Sequence, residues 1–333
     1  MKILILKTSA LGDVIHTFPV VDYLKKRFPV GQIDWVVETR AASLVKAHPH
    51  IDRVLSLDSK RWREKPFSSS NRKERSGFRT ELKKVHYDLV FDLQGNLKSS
   101  WVLSQVVAKK KIGFGWKTVP EWPNALFTSH RFNPHPNQNI REDYLSVVQS
   151  YFRDPQSFVS SPIALTLTEE ERCKLVQLKL NPTLVCPGAA WPNKRLPQKT
   201  LSFVLKKINR GPYMFSWGSN EEREIAMQLS AEFPNSYVLE PLSLPLLQHV
   251  MAKCQLVIAM DSLPLHLCGT TQTASLSFFG PSSASKYLPM GKQHRAFQGL
   301  CPYGIRFEKR CSRLRSCPTG ACLSENQWIE TTL

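Results

Sequence analysis

Short continuous apolar runs alternate along the chain with stretches whose apolar residues recur at helical spacing. Residues 3–6 form such a run, with β-branched members and the length of a strand buried on both faces. After a loop at residues 8–12, Val14, Phe18, Val21, Leu24 and Phe28 predict one helix over 14–28, ending in the cations Lys25, Lys26 and Arg27. Residues 32–38, 52–57 and 88–93 predict further strands, and 41–47 and 98–108 further helices. The second half repeats the rhythm: strands at 183–187, 213–217, 256–260 and 275–279, and helices at 199–208, 221–233 and from 264. This alternation predicts an α/β protein with parallel sheets: two Rossmann-like domains in tandem, facing a central cleft. A length of 333 residues agrees, because single cores stop growing at about 250–300 residues. The polar stretch 153–161 is the expected linker, with domains at 1–155 and 165–333.

Composition changes the picture in one respect. Hydrophobic residues make up 42% and charged residues 22%, which excludes a disordered chain. The net charge, however, is +18, from 45 Lys and Arg against 27 Asp and Glu. A surface this basic expects a polyanion: nucleic acid, anionic lipid or a phosphorylated substrate. The excess concentrates in an insertion at 60–84, where ten cations face only Glu64, Glu74 and Glu81, and where Trp62, Phe67 and Phe78 are interleaved. Aromatic residues in a basic run favour an anion-binding surface over a merely solvated loop. Nucleic acid is not the expected partner, because the charge sits in one insertion and no nucleic-acid module is recognisable. No run approaches the ~18 apolar residues of a membrane span. The apolar amino-terminal run is broken by Lys7, a poor signal peptide, so a cytoplasmic location is expected.

Three strand-to-helix junctions carry candidate chemistry. Ligands of open α/β sheets bind outside the carboxyl ends of the strands. Asp13 falls at such an end and fits either a helix cap or a general base; position alone does not separate the two. In the tract 187–197, Gly188 permits a tight turn and Lys194 is either a surface lysine or a cation for a diphosphate. In Asp261-Ser262-Leu263-Pro264-Leu265-His266, either of the first two residues can cap, Pro264 suits the first helical turn, and His266 follows one turn in. There is no GxxxxGK, and Gly113-Phe114-Gly115 lacks a third glycine and follows three lysines rather than a buried strand. A P-loop NTPase and a typical NAD dehydrogenase are thereby disfavoured. Cys301, Cys311, Cys317 and Cys322 lack the paired short spacings of a zinc site and read as reduced, unlinked thiols.

Taken in order, several tracts resemble the ADP-heptose:lipopolysaccharide heptosyltransferases of glycosyltransferase family 9, and within them the heptosyltransferase I group. They are the segment from Lys7 through Asp13 to Thr17, Arg61-Trp62-Arg63, the segment from Tyr87 to Ser99, Trp191 with Lys194, Trp217-Gly218 with Glu222, Asp261 with His266, and Phe279-Gly280-Pro281. The resemblance spans about residues 1–285. It implies a GT-B architecture, with an acceptor domain first and a nucleotide-sugar domain second. It implies an inverting, metal-independent and cofactor-free transfer of L-glycero-D-manno-heptose from ADP-heptose to Kdo of Kdo-lipid A, an anionic glycolipid, at the cytoplasmic face of the inner membrane.

By the same resemblance Asp13 is the general base. Gly188, Lys194, Glu222, Asp261, Ser262 and His266 belong to the donor site, and Arg61, Arg63 and Lys65 to the acceptor site. Two departures stand out. Ala189-Ala190 replace hydroxyl residues before the Trp-x-x-Lys tract, and Leu263 replaces a glycine that would let backbone approach a phosphate closely. The alternatives are a relative with another sugar or acceptor, such as heptosyltransferase II, and a non-catalytic binding homologue.

Overall fold

The computed structural model describes residues 1–178, 181–314, 316–317 and 319–323. The chain divides into two compact units, Met1–Ser161 and Pro162–Leu333.

In the first unit six strands pair in parallel: β1 (Lys2–Leu6), β2 (Gln32–Glu38), β3 (Arg53–Leu57), β4 (Tyr87–Asp92), β5 (Ala108–Phe114) and β6 (His130–Phe132), in the order β3-β2-β1-β4-β5-β6. The central strand β1 sets Ile5 beside Trp35 of β2 and Phe91 of β4, all fully buried, as expected of a parallel strand covered by helices on both faces. At the amino ends of the strands lies a polar lock. The buried Asp34 carboxylate accepts from Arg53 Nε at 3.0 Å and from the Tyr87 hydroxyl at 2.6 Å, and Arg53 Nη2 donates to that hydroxyl at 2.9 Å.

Three sequence expectations need correction in this unit. The helix expected over 14–28 is two helices, Leu11–His16 and Phe18–Arg27. Pro19 has no N–H to give the preceding turn, so the helix breaks at Thr17, whose hydroxyl donates to the Asp13 carbonyl at 2.9 Å. The helix expected to reach 108 is Leu97–Gln105, and Ala108 opens β5. Gly113 therefore lies within a strand, and the three lysines before it belong to that strand, contrary to the expectation that no strand precedes the glycines. The lysines hid the strand: Lys109 pairs with Asp88 at 2.7 Å and Lys111 Nζ donates to the Leu103 carbonyl at 2.6 Å, so their charges are met locally. Finally, the basic insertion is two helices, Ser59–Glu64 and Ser69–Lys83, and Trp62 is buried against Phe78 and Trp101, with both ring centroids at 5.8 Å. Trp62 is thus core and cannot pack on a ligand; Phe67 is exposed.

Residues 153–161 pack on the first unit. The Tyr23 hydroxyl donates to Asp154 at 2.8 Å, and the Ser161 N–H to Asp22 at 2.8 Å.

The second unit repeats the plan with β7 (Thr183–Cys186), β8 (Tyr213–Phe215), β9 (Tyr237–Val238), β10 (Leu256–Met260), β11 (Ser275–Phe279) and β12 (His294–Gln298), all parallel, in the order β12-β11-β10-β7-β8-β9. Val185, Phe215, Ile258 and Phe278 are wholly buried in its core. Helices Gln198–Ile208, Asn220–Ala231, Leu244–Ala252 and Leu263–Cys268 connect the strands. Among the described residues no helix is long and apolar enough to cross a membrane.

Candidate functional site

The carboxyl ends of β7 and β10 bring Lys194, Asp261 and His266 together. Asp261 follows β10 directly and is buried. Lys194 ends a short turn, Pro192–Lys194, beyond β7, and its Nζ lies 2.5 Å from Asp261 Oδ2. The Ser282 hydroxyl donates to the same oxygen. His266 Nε2 lies 3.5 Å from Asp261 Oδ1. Burial alone would raise the Asp261 pKa, but the hydrogen bond from His266 and the charge of Lys194 outweigh it, and the carboxyl is held well below its usual range. The group is therefore a carboxylate held by a buried cation, not a helix cap. Lys194, expected as either a surface residue or an open cation, is buried and paired. Ser262 occupies the cap position of Leu263–Cys268, yet its hydroxyl donates back to the Met260 carbonyl at 3.3 Å.

Gly188 and Glu222 form the second cluster. A Cβ built on Gly188 would stand 2.1 Å from Glu222 Cδ. The Glu222 carboxylate also accepts the Gly218 N–H at 2.7 Å, and Ser219 caps the helix that carries it, accepting the Glu222 N–H at 3.3 Å. The end of the Glu222 side chain thus fills the space over residue 188 and would have to swing away for any larger residue there. The tight turn expected there does not explain the glycine, because its φ lies outside the left-handed region.

In the first unit Asp13 sits in the first turn of Leu11–His16, beyond the carboxyl end of β1. One oxygen accepts the Ala10 N–H at 3.2 Å, which stabilises the helix start; the other has no partner among the described residues. The capping bond and an available oxygen therefore coexist in one carboxylate. Lys7, which the sequence reading did not single out, is buried at the end of β1, with Nζ donating to the Leu93 carbonyl at 2.9 Å and the Tyr144 hydroxyl at 2.8 Å.

Arg61, Arg63 and Lys65 are exposed on and just after the helix Ser59–Glu64. Arg61 pairs with Glu74, and Arg63 Nε donates to the Ser59 carbonyl at 3.3 Å. Asn71 fastens the two basic helices, donating to the Arg61 carbonyl at 3.0 Å and the Lys65 carbonyl at 2.8 Å. The anchor of the whole segment is Glu38 at the end of β2, also missed from sequence. It accepts from the Ser59 N–H at 3.2 Å, the Ser59 hydroxyl at 2.5 Å and Lys98 Nζ at 2.6 Å. Ser282 and Glu38 share one legible signal, a polar residue at or just past the end of an apolar strand run.

None of the eight cysteines forms a disulfide. Burial pushes the Cys186 and Cys268 thiols up to about 12. Among the described residues no three His, Cys, Asp or Glu side chains are grouped to hold a metal ion.

Two all-parallel sheets with charged clusters beyond their strand ends define a GT-B type of α/β glycosyltransferase fold, shared with solved heptosyltransferases. Residues 75–315 match the model of glycosyltransferase family 9 (heptosyltransferase), and the chain belongs to that family. Lipopolysaccharide heptosyltransferase 1 of Pseudomonas aeruginosa is 32% identical over 292 residues, covering 85% of this chain and 79% of that protein. The Escherichia coli K12 protein of the same name is 27% identical over 289 residues, covering 85% of this chain and 88% of the relative. The solved structure of E. coli heptosyltransferase WaaC with ADP superposes with a TM-score of 0.79 at 24% identity, covering 99% of both chains.

Proposed function

We propose that this glycosyltransferase moves L-glycero-D-manno-heptose from ADP-heptose to Kdo of Kdo-lipid A, with inversion, in assembly of the lipopolysaccharide inner core. The observation that carries the reading is the buried Lys194–Asp261–His266 group in a family 9 chain. Relatives named lipopolysaccharide heptosyltransferase 1 and a WaaC structure holding ADP-2-deoxy-2-fluoro heptose support the donor and the pathway.

In this reading the second unit takes the donor. As the glycosidic bond to the diphosphate breaks, negative charge grows on the leaving ADP. Lys194 has N–H donors beyond the one given to Asp261, and a cation already oriented by a buried carboxylate needs no reorganisation to meet that charge. Asp261 keeps Lys194 and His266 in place, and Glu222, seated over Gly188, and Ser262 complete the donor side. No metal and no cofactor are assigned. The first unit takes the acceptor. Asp13 accepts the proton of the attacking Kdo hydroxyl through the oxygen not engaged with Ala10, and a positioned base of this kind contributes about 10²–10⁴ in rate. Arg61, Arg63 and Lys65 meet the phosphates and carboxylates of the glycolipid, which places the enzyme peripherally on the cytoplasmic face of the inner membrane.

Incubation with ADP-heptose and Kdo-lipid A should give a product heavier by one heptosyl unit, with the anomeric configuration inverted and the yield unchanged by chelator. Transfer only to an acceptor that already bears heptose would replace this reading with a heptosyltransferase II-like one, and ADP binding without transfer would leave a binding homologue.

A further inference from the structure

The first unit exposes a compact apolar patch that the proposed chemistry does not use. Trp122 is 66% exposed, Leu126 63%, Leu97 58%, Trp116 54% and Phe127 41%. These residues are neighbours. The turn Trp122–Phe127 packs along the helix Leu97–Gln105, and the Leu97 N–H donates to Glu121 at 2.8 Å. Arg131 ties Trp116 to the same turn, lying 5.3 Å from the indole centroid while its Nε donates to the Ala125 carbonyl at 2.6 Å.

The patch is held rigidly. Asn124, wholly buried at the middle of the turn, donates to Asp92 at 2.7 Å and to the Ser99 and Ser100 hydroxyls at 3.1 Å. The Glu121 N–H donates to the Gly95 carbonyl at 3.0 Å. A fixed turn presenting large apolar side chains to water has already lost the conformational entropy that docking would otherwise cost.

Its surroundings identify the occupant. One turn beyond Leu97, Trp101 stacks on Phe78 of the basic helix Ser69–Lys83 at 6.0 Å, with Arg79 5.4 Å from its ring. The apolar patch and the basic helix therefore flank one short helix. The first unit carries 26 Lys and Arg against 15 Asp and Glu. Indoles and aliphatic side chains beside a dense cationic face match an anionic lipid surface, where Trp rings sit at the headgroup level and cations meet lipid phosphates.

We propose that Trp116, Trp122, Leu126 and Phe127, with Leu97, insert into the interface of an anionic bilayer and seat the first unit on it beside the basic helices. This rests on the reading that the acceptor is borne by a membrane, and it adds a surface that binds the bilayer itself, independently of the acceptor sugar.

The test uses the full chain and vesicles of phosphatidylcholine with about one-third phosphatidylglycerol, free of any glycolipid. Co-sedimentation should show wild-type binding with a component that survives 0.5 M salt, because apolar insertion is not screened. The Trp122→Ser/Leu126→Ser variant should keep its melting temperature, lose the salt-resistant component and bind at least tenfold more weakly. A variant of Arg72, Lys73 and Arg75 to Ala should lose the salt-sensitive part instead. Heptosyl transfer to a soluble, deacylated Kdo acceptor should be equal in wild type and the Trp122→Ser/Leu126→Ser variant, whereas transfer to vesicle-embedded acceptor should fall in that variant. Unaltered vesicle binding by the variant overturns the proposal. So does a wild-type dimer that the same substitutions dissociate, since the patch would then be a protein interface. Absence of transfer to the soluble acceptor by either protein would instead refute the proposed function and leave the vesicle result standing.

Discussion

The Glu222 carboxyl group occupies the volume that a side chain at position 188 would need: a Cβ on Gly188 would stand 2.1 Å from its Cδ. Gly188→Ala should therefore displace Glu222 from the Gly218 N–H and weaken ADP-heptose binding about tenfold, with little loss of stability because the displaced atoms end a flexible side chain. Adding Glu222→Ala to Gly188→Ala should cost little further affinity, because the carboxylate is already displaced. Urea unfolding and calorimetry on the four proteins of the cycle give the answer; independent, additive effects would contradict the shared volume.

Lys194→Ala should do two things at once. It removes the cation assigned to the diphosphate, so ADP affinity should fall, and it leaves Asp261 buried without its lysine partner, at a cost of about 3–5 kcal/mol near neutral pH. The sign of the pH dependence follows from the lowered Asp261 pKa. In the wild type the pairing contributes fully above the unfolded carboxyl value of about 4 and is lost only as pH falls through the depressed folded value. The stability gap between the two proteins should be widest near pH 7 and narrow below about pH 4. A gap independent of pH would show that Lys194 acts through packing alone.

Asp13→Asn tests the base. The Asn side-chain oxygen can still accept the Ala10 N–H, so the helix start and the melting temperature should hold while transfer falls by about 10²–10⁴. Donor affinity should be unchanged. Near-wild-type turnover would return Asp13 to a purely structural role at the helix start.

Replacing Arg61, Arg63 and Lys65 together by Ala should raise the acceptor KM at least tenfold and leave ADP-heptose binding alone. Because Arg61 is already engaged with Glu74, the single Arg61 variant should have the smaller kinetic effect, and Lys65 the larger. Glu38→Gln should also raise the acceptor KM without abolishing turnover, since it loosens Ser59 and Lys98 and with them the helix that presents these cations. Equal kinetics in all of these variants would make the segment a solvated basic surface.

Strands such as 3–6 and 256–260 were legible because burial on both faces leaves them wholly apolar, and 32–38 and 275–279 because large apolar residues alternate with or follow their polar ones. β5, β6 and β12 were not. They lie toward the sheet edges, where Lys109, Lys110, Arg131 and Arg295 can reach water or a neighbouring acid, so hydropathy reads them as loop. The two-residue β9 is too short to carry a period at all. At the sites, the sequence marked residue types and positions but not partners. Lys194 looked like a loop lysine because the residue that buries it, Asp261, is 67 positions away. Trp62 looked like a ligand platform because Trp101, which covers it, lies in another helix. Long-range pairing of this kind leaves no local trace.

The polar lock of Asp34, Arg53 and Tyr87 ties three strands at their amino ends, whereas Asp13, Glu38 and the helix Ser59–Glu64 stand at the opposite ends of the strands. Cohesion and chemistry are thus assigned to different rims. Exchanging the carboxyl-end loops for those of a relative that uses another acceptor should leave the frame standing, which makes this unit a practical chassis for transplanting acceptor preference. The same division explains how new specificity can arise by loop drift while the strands stay fixed.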